Sequence, residues 1–264
     1  MIAKDLYHEG KLTEAIKAMN DEVREHPADT HRRGFLCELL CLVGNLDRAD
    51  LQLDTMSDQD PQVMAGISLI RQLIRGEQHR RQFYKDGRVP EFIGEPTEHL
   101  QLHLQASIAL REGNVAGALE TLVDAEAARP KCSGTWNGNA FDDLRDLDDL
   151  TASFFEVLTS TGKYFWIGTE QVVSMTFRAP SRPRDLMWRP CHMDVRDGPD
   201  GEVYLPSIYV GTDALEDERA LLGRVTEWTG GDGAPVRGLG QRTFLAGEQA
   251  VPILALESIE FGDE

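Results

Sequence analysis

Few residue groupings in this 264-residue chain have the types and spacing that chemistry requires. His99 and His103 are four apart, so a helix would carry both imidazoles on one face. A zinc hydrolase of that kind places Glu directly after the first His. Here Leu100 stands in that place and no third ligand lies nearby, which argues against a metal. Asp142, Asp143, Asp146, Asp148 and Asp149 are hard oxygen ligands that could attract a divalent cation. They lack the alternating spacing, the Gly and the closing Glu of a calcium loop. Acids at the start of a helix, complementing its dipole, are the simpler reading, and cation binding by the cluster stays open. Gly238-Leu239-Gly240-Gln241-Arg242-Thr243 has the outline of a phosphate loop, but Thr243 fills the third small-residue place and a strand-like run follows. A structural loop fits better. No GxSxG elbow is present, and the carboxylates are too dispersed to pick an acid–base couple. His192, Asp194 and Glu227, beside tryptophans in strand-like runs, are the residues a hidden hydrolase would use.

Two further sets concern packing and partners. Cys37, Cys41, Cys132 and Cys191 form no CxxC pair, and the first two share a helix face. They read as buried free thiols, which places the chain in a reducing compartment, the cytoplasm. Arg71, Arg75, His79, Arg80, Arg81, Lys85 and Arg88 run against a formal net charge of -18. A solvated helix face explains such a run. The alternative is a docking surface for an acidic or amphipathic partner, where charge steers encounter and sets orientation. The overall acidity disfavours nucleic acid and anionic membranes. No apolar run is long enough to span a bilayer, and the first residues lack the apolar core of a secretory signal. No catalytic, cofactor-binding or metal site is assigned.

The elements that position these residues divide into two kinds. In the front half, Pro27, Pro61, Pro96 and Pro130 recur at the period of a tetratricopeptide repeat, about 34 residues. A second mark shares that period: Gly10-Lys11-Leu12-Thr13-Glu14-Ala15 resembles Gly44 to Ala49 and Gly113 to Ala118. The Gly lets the chain leave one helix through a left-handed turn. The Ala is small where two helices approach, and the Pro ends the second helix. Between Pro61 and Pro96 the pattern is degenerate, with Tyr84 in the small-residue place, and reads as a diverged repeat. Such arrays curve around a concave groove that binds peptides or helices.

After Pro130 the marks stop. Residues 133–139 read as a turn-rich connector, followed by a helix over about Asp142 to Thr159. Strands are expected at 164–167, 172–177, 186–188, 191–195, 203–205, 244–246 and 252–256, with a hairpin turn at Gly198-Pro199-Asp200-Gly201. Glu216 to Val225 reads as a helix or an edge segment. The fold class is α+β: tetratricopeptide-like helical repeats over 1–130, a connector and helix over 131–160, and a smaller, mainly antiparallel β-rich domain over 161–264.

Taken in order, several segments resemble the ImpE/SciE family. They are Phe35 to Ala49 in the front, and Asp185-Leu186-Met187-Trp188-Arg189-Pro190, Thr226-Glu227-Trp228 and Gly238 to Arg242 in the back. Arg189 and Ser207-Ile208-Tyr209 depart from the family pattern. The resemblance implies a non-enzymatic adaptor of bacterial type VI secretion. Such a protein binds the N-terminal helix of the small sheath subunit TssB and assists sheath handling beside the ClpV ATPase. It carries over no contact residues one by one. A self-assembling structural subunit, with uncapped repeat ends stacking, is a further reading.

Overall fold

A computed structural model describes residues 2–59 and 64–262. Helices fill the front: α1 (Ile2–His8), α2 (Leu12–Glu25), α3 (Thr30–Leu42), α4 (Leu46–Gln59), α5 (Met64–Asp86), α6 (Glu98–Arg111) and α7 (Val115–Ala128). The repeated Gly-to-Ala mark falls on three tight turns, between α1 and α2, α3 and α4, and α6 and α7. Gly10, Gly44 and Gly113 have φ of 85°, 72° and 79°, the left-handed region that glycine enters without a Cβ penalty. Ala15, Ala49 and Ala118 are fully buried where the paired helices meet. On α2, Leu12, Ala15, Met19 and Val23 make one buried face at helical spacing. Asp29 caps α3 by accepting from the Arg32 amide at 3.1 Å, and Asn114 caps α7 by accepting from the Gly117 amide at 3.0 Å.

The segment read as a diverged repeat is no helix pair. It is the single 23-residue helix α5. No glycine turn interrupts it. Its one interior glycine past the first turn, Gly76, serves close approach instead: a Cβ there would lie 3.1 Å from Leu158. Pro61 falls outside the described residues. Pro96 precedes α6 rather than ending a helix, while Pro27 and Pro130 follow α2 and α7. Between α5 and α6 the chain runs extended, and Glu91 exchanges backbone hydrogen bonds with Tyr164 and Trp166 at 2.9 and 3.0 Å.

The back half holds β1 (Gly134–Trp136), β2 (Asn139–Phe141), β3 (Leu144–Asp146), β4 (Phe154–Leu158), β5 (Tyr164–Gly168), β6 (Val172–Phe177), β7 (Trp188–Val195) and β8 (Asp200–Pro206). The short helix α8 (Glu218–Leu221) follows, then β9 (Thr226–Gly231), β10 (Ala234–Gly240), β11 (Thr243–Ala246), β12 (Gln249–Pro252) and β13 (Ser258–Phe261). Eight strands form an antiparallel sheet in the order β2-β1-β13-β6-β7-β8-β4-β5, beside a three-stranded sheet β12-β11-β3 and the hairpin β9–β10. The class is α+β, and the β part is large rather than small, its main sheet alone holding eight strands.

The expected helix over Asp142 to Thr159 is replaced by β3, a 3-10 turn at Asp149–Thr151, and β4. Leu144, Leu147, Leu150, Phe154 and Leu158 imitate a helical stripe. In β4, however, both faces are buried, and periodicity alone does not separate such a strand from a buried helix. Runs 186–188 and 191–195 merge into β7, which passes through Pro190, while Leu186 closes a 3-10 turn. The run 252–256 is a strand end and a 3-10 turn at Ile253–Ala255, and the closing strand is β13.

Alternation along the strands divides the interior. Phe154, Leu158, Tyr164, Trp166 and Trp188 face the helices and share one apolar cluster with Leu36, Leu73, Ile74 and Phe83. Phe155, Val157, Ile167, Met175 and Met193 face the other way and pack on Leu144, Phe244 and Val251 of the small sheet.

Candidate functional site

Six of the seven basic residues lie on α5 and Arg88 lies just past its end, and they do not share one exposed face. Arg80 is 3% exposed and points into the molecule. Its guanidinium donates to both oxygens of Glu156 at 3.0 and 2.9 Å and to Glu77 at 3.3 Å. Arg81 spans the halves, reaching Asp213 at 2.9 Å. His79 is buried, with Nε2 3.0 Å from the Val89 carbonyl oxygen. Arg71 is held by Asp50 at 3.0 Å and by Asp54. Only Arg75, Lys85 and Arg88 are exposed. Helical spacing placed these cations on one element, but their acidic partners lie up to 132 residues away in sequence, where no local pattern reveals them.

Glu156 is the centre of that interior network. Besides Arg80 it meets Arg242, accepts from Tyr164 at 2.5 Å and from Tyr84 at 3.1 Å. Burial alone would raise its carboxyl, but Arg80 and Arg242 outweigh that and hold it at about 2. Asp146 accepts from Tyr209 at 2.5 Å and from Thr151 at 3.0 Å, with Arg242 3.2 Å away. Burial wins there, and the carboxyl rises to about 6. Asp148 pairs with Arg237 at 3.0 Å. The acidic cluster holds loops and β10, and Asp148 also caps the 3-10 turn Asp149–Thr151 by accepting from the Leu150 amide at 2.9 Å, although the long helix expected there is absent. Among the described residues no group of three or more His, Cys, Asp or Glu is arranged to hold a metal ion.

His99 and His103 do share a helix, and both are buried. His99 lies 2.9 Å from Ser153 Oγ and 3.0 Å from Glu170 Oε1. A serine, an imidazole and a carboxylate in a row are the ingredients of nucleophilic catalysis. Ser153 is 2% exposed, however, and neither cavity described below is lined by it. His192 and Asp194 lie on β7, His192 pairing with Asp200 at 2.6 Å, whereas Glu227 lies on the separate β9–β10 hairpin. The three are not brought together. In the glycine run, a Cβ at Gly238 would meet the Tyr209 ring at 2.3 Å, and Gly240 has φ of 103°. Those glycines allow close packing of β10 rather than a phosphate cradle.

One concavity is an open groove of about 650 Å³. Its walls are α1, α3, the start of α5 and the strap Pro180 to Leu186, so both halves build it. Tyr7, Phe35, Met56, Ile67, Ile70 and Leu186 supply apolar lining. Gly34 and Gly66 leave room along two helices; a Cβ at Gly66 would meet nothing within 4 Å. The strap is fixed by Asp185, which accepts from Ser181 N and Oγ at 2.9 and 3.0 Å and from Arg182 N at 3.2 Å. Lys4, Arg182, Arg184 and Arg224 bring four cations to the lining, with His8 and His31, against one carboxylate, Glu38. Glu38 lies 3.7 Å from Arg182 and 3.9 Å from Arg184. Burial raises its carboxyl, and the two arginines only partly oppose that. The second cavity, about 30 Å³ beside Arg80 and Tyr209, has room for little more than a water molecule. The groove expected from the sequence was the concave face of a front-half repeat array; this one also takes the strap and Arg224 from the far half of the chain, which no local pattern reveals.

Helix hairpins docked on an antiparallel sheet, with an open groove lined from both halves, define an α+β class. The ImpE protein family model matches residues 138–260. A relative from Pseudomonas aeruginosa, the type VI secretion system accessory component TagJ, is 31% identical over 261 residues, covering 99% of this chain and 91% of the relative. This chain belongs to the ImpE family. The crystal structure of protein VPA1032 from Vibrio parahaemolyticus superposes with a TM-score of 0.93 at 27% identity, covering 100% of this chain and 98% of that one.

Proposed function

We propose that this chain is a non-enzymatic, cytoplasmic adaptor of type VI secretion whose groove receives the N-terminal helix of the small sheath subunit TssB. In that role it assists sheath handling beside the ClpV ATPase. The observation that carries the reading is the groove itself: residues of α1, α3, α4 and α5 and the strap Pro180 to Leu186 around a partly apolar lining. An amphipathic helix lays its apolar face into such a cleft and orients itself by polar contacts at the rim. Residues of α1, α3 and the start of α5 contribute to its lining, which supports reading the helix hairpins as a tetratricopeptide-like docking surface. Support also comes from the relative called an accessory component of type VI secretion.

An interface of roughly 800 Å² per partner suffices for a specific complex. A factor that must let go suits micromolar binding, about -8 kcal/mol. Isothermal titration with a synthetic TssB N-terminal segment tests the proposal. A one-to-one heat is the predicted result; absence of heat at high peptide concentration rejects it.

A further inference from the structure

We infer that the groove selects a helix whose polar flanks carry carboxylates; this rests on the docking reading given above. The ground is charge placement. The chain has 45 acidic and 27 basic residues, so an average patch of surface is acidic. The groove reverses that, with four lysine and arginine side chains and one carboxylate in its lining. The cations come from both halves of the chain. Lys4 lies on α1 with its ammonium 5.8 Å from the Phe35 ring centroid. Arg182 is half exposed on the strap. Arg224, from the β half, donates to the His8 carbonyl at 3.2 Å.

These cations are only lightly neutralised from within. Glu38 is 10% exposed and its separations from Arg182 and Arg184, 3.7 and 3.9 Å, are those of long ion pairs. Asp185 spends its Oδ2 on the strap's own amides and hydroxyl, and its Oδ1 makes only a long 3.9 Å ion pair with Arg184. Cations from α1 and from the strap, set beside the apolar lining, match a helix whose apolar stripe is flanked by carboxylates. Unlike charges across such a boundary set register and reject a lysine-flanked helix of the same apolar face. At a partly solvated rim the discrimination should be screened by salt.

The test uses two helical peptides with one shared apolar face, flanked by glutamate in one and by lysine in the other. Anisotropy titrations are run against the intact protein at low and high salt. The glutamate peptide should bind at least about tenfold tighter at low salt, with the gap narrowing at high salt. Lys4→Glu/Arg182→Glu, both at exposed positions, should reverse the preference while leaving the thermal transition in place. Equal binding of both peptides overturns the charge inference and leaves helix docking standing. Binding of neither overturns the docking reading as well. Displacement of the glutamate peptide by inorganic phosphate at matched ionic strength, or a concentration-dependent dimer that blocks it, overturns the helix as occupant.

Discussion

Side chains that looked like surface chemistry in the sequence turn out to hold the interior together. Arg80 is the clearest case. Charged residues are rarely buried unless paired, and its partner Glu156 is 76 positions away, so nothing near Arg80 signals its burial. Removing one member of a buried ion pair leaves an uncompensated charge, at about 3–5 kcal/mol. Arg80→Glu should therefore abolish folding, whereas Arg75→Glu, at an exposed position, should shift stability by less than about 0.5 kcal/mol. Chemical denaturation of the two variants checks this. His103 offers a pH test. Burial pushes its imidazole down to about 3 from 6.5. The folded chain then binds that proton more weakly than the unfolded chain. The stability linked to neutral His103 is present above pH 6.5 and is lost as pH falls toward 3. Asp146 acts in the opposite sense, since its raised carboxyl takes up a proton in the folded state between about pH 6 and 3.8. The comparison must therefore be between variants. His103→Phe, a ring able to keep the edge contact with Phe154, should gain up to about 2 kcal/mol over the parent on going from pH 7 to pH 5. Parallel stability curves would contradict it.

At the level of elements, the Gly and Ala marks read correctly because each reports a local demand: a left-handed turn, then a close helix contact. Gly44 has φ of 72°, and a Cβ there would lie 2.7 Å from Asp213 Oδ2. Gly44→Val should cost at least about 1–2 kcal/mol from the left-handed backbone alone, read as a lower denaturation midpoint with unchanged slope. Where a demand was not local, the sequence misled. The leucines and phenylalanines from Leu144 to Leu158 keep helical spacing, yet β4 is paired on both sides, by β5 and β8. The strands β9 and β10 carried too many glycines to read as strands. Those glycines are required by backbone contacts between 1.9 and 2.2 Å to a hypothetical Cβ at Gly230 and Gly240. The degenerate third repeat was recognised as abnormal, but its conversion to one continuous helix follows from Arg80 and Gly76 locking α5 onto the sheet.

For the molecule as a whole, the two halves share a core. Trp166 and Phe154 stack at 4.0 Å, and Phe83 of α5 meets Trp166 at 4.7 Å. A fragment ending at residue 130 would expose Phe83, Leu73 and Ile74 together, an apolar patch that a soluble monomer rarely tolerates. That fragment should aggregate or stay unfolded by circular dichroism, while the intact chain unfolds in one transition. The groove has the same dual origin, since its fourth wall is a strap from the β half. The repeat period suggested a groove within the front half; the observed one depends on residues 180–186 and Arg224 of the β half.

The most direct measurement is an anisotropy titration of the TssB N-terminal segment against the parent protein and Gly66→Trp. Position 66 is exposed, opens into the groove and has free space around it. Replacing a helical glycine there also favours the helix, by up to about 1 kcal/mol, so the variant should fold. Micromolar binding by the parent and its loss in Gly66→Trp, with folding intact, is the predicted result. Undiminished binding by the filled groove would contradict it.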